Sequence, residues 1–216
     1  MNTFELTLAF GPLAMYFVAL GIINLGSRPV IVPGSRETVA LALALVGFVL
    51  IGPMALFFPE AAANQFGPKV WLLLLAFYTL SVLLWTLVAR PRLVIYNVDP
   101  AELRKLLAEV AIEVDPEAHW AGDNLVLPQR GVQLHVEDHA RMRNVTLLAV
   151  GAEQSPSGWE ALENALRRAA RSRLTGRNPR GVGLLSSGLV MLAAIVYRTL
   201  ENPQAIAEGI LDLLSR

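Results

Sequence analysis

The 216-residue chain contains no cysteine. Disulfide bonds, thiolate nucleophiles and zinc or iron–sulfur sites with cysteine ligands are therefore excluded, because each requires a cysteine sulfur. Charged residues are also scarce: they make up 17% of the chain, against 54% hydrophobic residues, and the formal net charge is zero. A composition this apolar, with a mean hydropathy of +0.49, differs from that of an ordinary soluble domain.

The few charges avoid four apolar segments altogether, at residues 6–25, 38–58, 70–89 and 181–197. A helix needs about 20 apolar residues to cross a bilayer core about 30 Å thick, so three transmembrane helices are predicted within residues 1–89. The fourth, at 181–197, is shorter and is bracketed by Arg180 and Arg198. The first segment is interpreted as a retained span, because Met1–Glu5 lacks the basic residues of a secretion signal. The absence of ionisable residues from all four segments disfavours a self-contained ion pump or active transporter.

Lys and Arg are distributed unequally between the segments that connect these spans. One side would hold the loop with Arg28 and Arg36 and the whole of residues 90–180, while the other would hold only Lys69, Arg198 and Arg216. Cytoplasmic segments carry the excess of Lys and Arg. The sequence therefore predicts a multi-pass protein of the cell (inner) membrane, with both termini outside and residues 90–180 in the cytoplasm.

Residues 90–180 have the pattern of a small α+β domain. A β-forming run at Leu93–Val98 precedes Asp99-Pro100, which predicts the start of a helix with Asp99 as its N-cap. Four short strands follow, at His119–Ala121, Leu125–Leu127, Val132–Asp138 and Val145–Val150. Ser157 and Glu160 are spaced as a capping box for a second helix that would end near Gly176. The order β-α-β-β-β-β-α predicts a two-layer sandwich with both helices on one face of an antiparallel sheet.

Two further features concern the last 36 residues. Gly183 and Ser187, four residues apart in the fourth span, could allow close approach of another helix. Asn202-Pro203 predicts the start of an amphipathic tail helix within residues 198–216, lying on the outer membrane interface.

Alternating residues of one strand provide the sharpest candidate for a ligand site. His135, Glu137 and His139 would share one face of the strand, with His119 and Asp123 as further candidates across a hairpin. Imidazole and carboxylate groups suit zinc, iron or manganese, but neighbours on one strand face lie about 6.5–7 Å apart and do not close easily around one ion. The commoner outcome of such a pattern is a solvated sheet face, so no metal, cofactor or catalytic residue is assigned.

A run of basic residues, Arg167, Arg168, Arg171, Arg173, Arg177 and Arg180, precedes the last span. Basic groups near a membrane surface attract anionic lipid headgroups, and Arg167, Arg168, Arg171 and Arg173 are predicted to do so. A nucleic-acid site is disfavoured because no aromatic residues are interleaved with these arginines.

The sequence favours a non-enzymatic membrane protein whose cytoplasmic domain binds a protein partner, as a scaffold, an assembly factor or a subunit of a complex. The alternative is a sensor or transporter accessory that binds a small ligand or metal through the His135 face. A membrane-bound enzyme stays open, since residues distant in sequence could assemble an active site.

Overall fold

The structure is a computed structural model that describes residues 3–57, 69–139, 143–152, 154–176 and 178–215. These residues form seven α-helices, one short 3₁₀ helix and one six-stranded sheet. They divide into two compact units. The first comprises Met1–Gly21, Thr38–Val88 and Gly183–Arg216, and the second comprises Ile22–Glu37 and Ala89–Val182.

Apolar helices make up the first unit. Their bounds are Thr3–Leu25 (α1), Gly34–Phe57 (α2), Lys69–Val88 (α3) and Arg180–Glu201 (α6), followed by a shorter tail helix, Gln204–Ser215 (α7). Among the described residues, α1, the Gly34–Gly52 part of α2, and α6 are long and apolar enough to cross a membrane. In α3 the described apolar part is Leu72–Val88. α6 is 22 residues long, because helical structure continues beyond the predicted end at residue 197.

The helices α1 and α6 contact each other at glycine residues. A Cβ placed on Gly21 of α1 would lie 2.7 Å from the backbone nitrogen of Leu185, and one on Gly188 of α6 would lie 2.8 Å from the carbonyl oxygen of Ala14. These two contacts run in opposite chain directions, so α1 and α6 are antiparallel. Within the chain, α1 approaches α6 at Gly188 and not at Gly183, which has no neighbour within 4 Å. Gly183 and Ser187 are both exposed, so the approach of a helix from another chain at these residues stays a prediction.

α2 contacts α1, and α3 contacts α2. Gly47 of α2 packs against the backbone of Leu8, and the rings of Phe10 and Phe48 meet edge to face at 4.8 Å. The Tyr78 hydroxyl of α3 donates a hydrogen bond of 2.7 Å to the carbonyl of Ala42. The helix order in the first unit is therefore α6, α1, α2, α3. Phe58, at the predicted end of the second span, lies outside the described residues.

The second unit is built on an antiparallel sheet. Its strands are Val30–Pro33 (β1), Arg92–Tyr96 (β2), His119–Ala121 (β3), Asn124–Leu127 (β4), Val132–His139 (β5) and Asn144–Ala149 (β6). The spatial order is β1-β2-β6-β5-β4-β3. β6 thus lies at the centre, between β2 and β5.

The edge strand β1 departs from the expected order of elements. It comes from the loop between α1 and α2, and it pairs with β2 in the register Val30↔Tyr96 to Pro33↔Leu93. Ile31 belongs to the hydrophobic core and is 8% exposed. The sheet therefore has six strands rather than five, and one of them precedes residue 90.

Two helices, Pro100–Val114 (α4) and Pro156–Arg171 (α5), share one core with the sheet. α4 begins as predicted: the Asp99 side chain accepts a hydrogen bond of 2.9 Å from the Ala101 N–H, and Pro100 follows it. The cap predicted for α5 is wrong. Ser155, not Ser157, is the N-cap, because Pro156 occupies the first helical turn, where its missing N–H costs nothing. α5 ends at Arg171 rather than near Gly176.

Candidate functional site

The sheet of the second unit has two unlike faces. Residues directly opposite each other on paired strands project to the same side. The face toward α4 and α5 carries buried side chains, including Leu93, Leu125, Leu134 and Leu147. The opposite face carries the alternate residues of each strand, and the exposure of these residues differs between the two edges of the sheet.

Near β2, side chains on this second face are buried. Val94 and Tyr96 are only 5% and 7% exposed. The Tyr96 hydroxyl donates a hydrogen bond of 2.8 Å to Glu37 in the first turn of α2, and Arg92 forms an ion pair with the same carboxylate at 3.1 Å. The first turn of α2 is thereby fixed to β2.

At the β3 end, the same side of the sheet is accessible. Seven side chains of β3, β4 and β5 on this side are not buried, and we call them the open face: His119, Ala121, Asn124, Val126, Gln133, His135 and Glu137. The surface combines two imidazoles, two amides, one carboxylate and two small apolar groups. Such a mixture offers hydrogen-bond donors and acceptors around an apolar centre at Val126.

His135 is held in place by its cross-strand neighbour. Its Nδ1 lies 2.8 Å from Oδ1 of Asn124, the residue directly opposite in the β4–β5 ladder. Because an amide oxygen only accepts, Nδ1 donates in this bond. Nε2 is then the ring nitrogen left to meet a ligand.

The other predicted ligands do not converge on His135. Asp123 forms an ion pair with Arg104 of α4 at 3.0 Å, and the His119 Nδ1 lies 3.0 Å from the Glu117 carbonyl oxygen. In the described part of the chain, no group of three or more potential metal ligands occurs. The side chain of His139 lies outside the described residues.

A second polar feature joins the chain segments that lead to α1 and α6. Asn178 is buried, and it donates its backbone N–H to the Asn24 carbonyl and its amide Nδ2 to Asn24 Oδ1, both at 3.1 Å. Its Oδ1 accepts from the backbone N–H of Arg180 at 3.2 Å, which caps the first turn of α6. The end of α1 and the beginning of α6 are thus bonded to each other.

Asn97 extends this polar contact to the sheet. It follows β2 in the left-handed conformation with φ of 56°, which Asn and Gly tolerate best. Its amide Nδ2 donates to the Gly26 carbonyl at 2.6 Å and to the Thr175 hydroxyl at 3.3 Å. No specific sequence pattern marks Asn24, Asn97 or Asn178. Asn24 and Asn97 lie near the end of an apolar and a β-forming run, and Asn178 precedes a proline, and such positions are too common to be specific.

The basic run before the last span is partly neutralised by carboxylates. Arg167 pairs with Glu163 at 2.7 Å and also donates to the Ile31 carbonyl, Arg168 pairs with Glu113 at 3.4 Å, and Arg173 pairs with Glu109 at 2.7 Å. Arg171 is exposed and has no ion pair among the described residues. Arg177 lies outside them. Lipid contact by Arg167, Arg168, Arg171 and Arg173 stays a prediction.

The second unit thus has three polar features: an open sheet face, a buried asparagine cluster, and exposed ion pairs between α4 and its neighbours. Of the three, the open face is the one that presents polar side chains of the sheet to solvent. Comparisons of the chain with protein-family models, with curated proteins and with solved structures give no match.

Proposed function

We propose that the chain is a four-span protein of the cell membrane that carries a cytoplasmic α+β domain, and that the open face of this domain binds a protein partner. In this role the protein is a scaffold, an assembly factor or a subunit of a larger complex. The open face is the observation that carries the proposal, because its seven side chains are accessible while the opposite face of the sheet is covered by α4 and α5.

The pairing of β1 with β2 supports four spans. Residues 30–33 and 92–96 belong to one sheet and therefore lie on the same side of the membrane. The chain between them must cross the membrane an even number of times, and it contains α2 and α3. α2 is long and apolar enough to cross. A crossing by α3 as well would make the number of crossings even, which favours four spans over three. The exposed apolar side chains of α3, among them Leu73, Phe77, Leu84 and Leu87, suit contact with lipid.

The C-terminal helix supports the remaining crossing. Gly209 of α7 packs against the ring of Phe4 at the beginning of α1. The beginning of α1 and the tail helix α7 therefore lie at the same end of the antiparallel α1–α6 pair. With the arginine-rich unit in the cytoplasm, both termini are outside.

The orientation can be tested with one introduced thiol, because the chain has no cysteine of its own. We expect Asp138→Cys on β5 to stay unlabelled by an impermeant thiol reagent in intact cells and to react after permeabilisation. Labelling in intact cells would place the domain outside and contradict the cytoplasmic assignment.

The partner proposal is tested by purification of the full chain in a mild detergent and identification of co-purifying proteins. Val126→Glu places a charge at the apolar centre of the open face and should abolish the association. Ile112→Glu is the matched control, because Ile112 is an apolar residue on α4 that is 61% exposed. Loss of the partner with Ile112→Glu but not with Val126→Glu would assign binding to the helix side and contradict the proposal.

The alternative of ligand or metal binding at His135 stays a prediction that the same preparation tests. A stoichiometric metal or small molecule that is lost in His135→Ala, with no co-purifying protein, would favour it over a protein partner.

A further inference from the structure

Three chain segments that connect the apolar helices to the second unit contain far more arginines than carboxylates. Residues 22–37, 86–98 and 172–185 include one carboxylate, Glu37, and seven arginines: Arg28, Arg36, Arg90, Arg92, Arg173, Arg177 and Arg180. Positive charge is therefore concentrated in these connecting segments.

Ion pairing divides these arginines into two groups. Arg92 pairs with Glu37 and Arg173 pairs with Glu109, so their charges are compensated within the protein. Four others, which we call the junction arginines, are exposed and have no ion pair among the described residues: Arg28, Arg36, Arg90 and Arg180.

Each junction arginine is close in sequence to the end of an apolar helix. Arg28 follows Leu25 of α1 by three residues, and Arg36 is the third residue of α2. Arg90 follows Val88 of α3 by two residues, and Arg180 is the first residue of α6. All four apolar helices therefore carry such an arginine at the end that leads into the second unit, within reach of the headgroup layer.

The opposite helix ends differ in this respect. Arg198 near the end of α6 lies 3.8 Å from Glu201, and Lys69 at the beginning of α3 is a single ammonium group. An uncompensated guanidinium donates two parallel hydrogen bonds to a phosphate, which an ammonium cannot reproduce with the same geometry. The junction arginines thus have the chemistry and the location for phosphate groups at one membrane surface.

We propose that the junction arginines bind the phosphate groups of anionic phospholipids in the membrane leaflet that faces the second unit. This inference is independent of the proposed partner binding, since it uses none of the residues of the open face. It also differs from the sequence prediction, which assigned lipid contact to Arg167, Arg168, Arg171 and Arg173.

The test is a lipid titration of the full chain in a neutral detergent at low salt, with bound lipid counted by native mass spectrometry. The probes are phosphatidylglycerol and, as the zwitterionic comparison, phosphatidylcholine. The test variant carries Arg28→Gln, Arg90→Gln and Arg180→Gln, one substitution for each junction segment. The matched control carries Arg104→Gln, Arg168→Gln and Arg173→Gln, which also removes three positive charges but only from ion-paired arginines.

A basic group near an anionic surface contributes about fivefold in affinity, so the test variant should bind phosphatidylglycerol about a hundredfold more weakly than the wild-type chain. The control variant should stay within about fivefold of wild type. Phosphatidylcholine binding should change little in either variant, because its choline group compensates the phosphate charge.

Equal losses in the two triple variants would attribute binding to overall charge and overturn the proposal, as would no loss in either. Displacement of phosphatidylglycerol by inorganic phosphate at the same phosphate concentration would assign the arginines to free phosphate and overturn the lipid as ligand. If the test variant does not insert, its three single substitutions replace it, each with an expected loss of about fivefold. Single variants that bind like wild type would then overturn the proposal.

Discussion

The substitution Ile31→Ala should lower the free energy of unfolding of the six-stranded sheet, although the other five strands lie more than 60 residues further along the chain. Ile31 belongs to the core of the second unit and is 8% exposed, and it lies opposite Ile95 of β2. Truncation of a buried isoleucine to alanine costs about 2–5 kcal/mol. Because β1 is an edge strand that can partly relax, we expect Ile31→Ala to cost about 2–3 kcal/mol.

Amide hydrogen exchange on the full chain in detergent measures this cost without unfolding the apolar helices. If β1, β2 and β6 open as one cooperative unit, exchange in Arg92–Tyr96 and Asn144–Ala149 should accelerate about 30- to 150-fold, at 1.4 kcal/mol per factor of ten. Val32→Ala is the matched control. Val32 is the next residue on β1 and belongs to the other face of the sheet, where it is half-buried, so the acceleration should stay below about fivefold.

Equal, small effects of the two substitutions would mean that β1 does not stabilise the sheet. Acceleration confined to β1 itself would mean that the strand pairs with the domain but opens separately from it. Either result would refute the reasoning that the first loop is a structural part of the second unit.

Three further predictions concern backbone conformation, helix packing and a buried carboxylate. Asn97→Gly should be more stable than Asn97→Ala by about 1 kcal/mol, because both lose the amide but only alanine is strained at a φ of 56°; the midpoint of thermal unfolding of the full chain measures this difference. Gly188→Leu should lower the thermal midpoint in detergent, since its Cβ would lie 2.8 Å from a carbonyl oxygen of α1, and Gly183→Leu, with no neighbour within 4 Å, should not; equal midpoints would contradict the observed α1–α6 contact. Asp115→Ala should cost about 2–4 kcal/mol in a denaturant titration, because the buried carboxylate accepts from three backbone N–H groups, whereas the exposed Glu117→Ala should stay within about 0.5 kcal/mol.

Local signals in the sequence were sufficient for much of the second unit. The Asp99-Pro100 pair defines the beginning of α4, because cap and first turn are set by adjacent residues. Strict alternation along β5 separates buried Val132 and Leu134 from accessible Gln133. Ser155-Pro156 repeats the pattern of Asp99-Pro100, so the sequence contains the signal for the observed start of α5, whereas the capping-box spacing from Ser157 predicts a start two residues later.

Features that depend on distant contacts were not predictable in the same way. β1 is only four residues long and lies between two apolar helices, so its strand character appears only when β2, about 60 residues later, is placed beside it. The choice of Gly188 over Gly183 as the contact with α1 depends on the rotation of α6 about its axis, which composition does not specify. The pairing of Asp123 with Arg104, rather than with the histidines of the strand, likewise requires the position of α4 over the β3–β4 hairpin.

The edge strand also determines when the domain can be completed during synthesis. Val30–Pro33 leaves the ribosome before α2 and α3, while its partner Arg92–Tyr96 follows both. At about 5–20 residues per second, the first strand waits on the order of 3–12 s for the second. In the proposed four-span topology, a chain in which only one of the two intervening helices had inserted would leave β1 and β2 on opposite sides of the membrane, and the sheet could not form. Under that topology, completion of the sheet reports correct membrane insertion, because Ile31 can be buried only when β1 and β2 lie on the same side of the membrane.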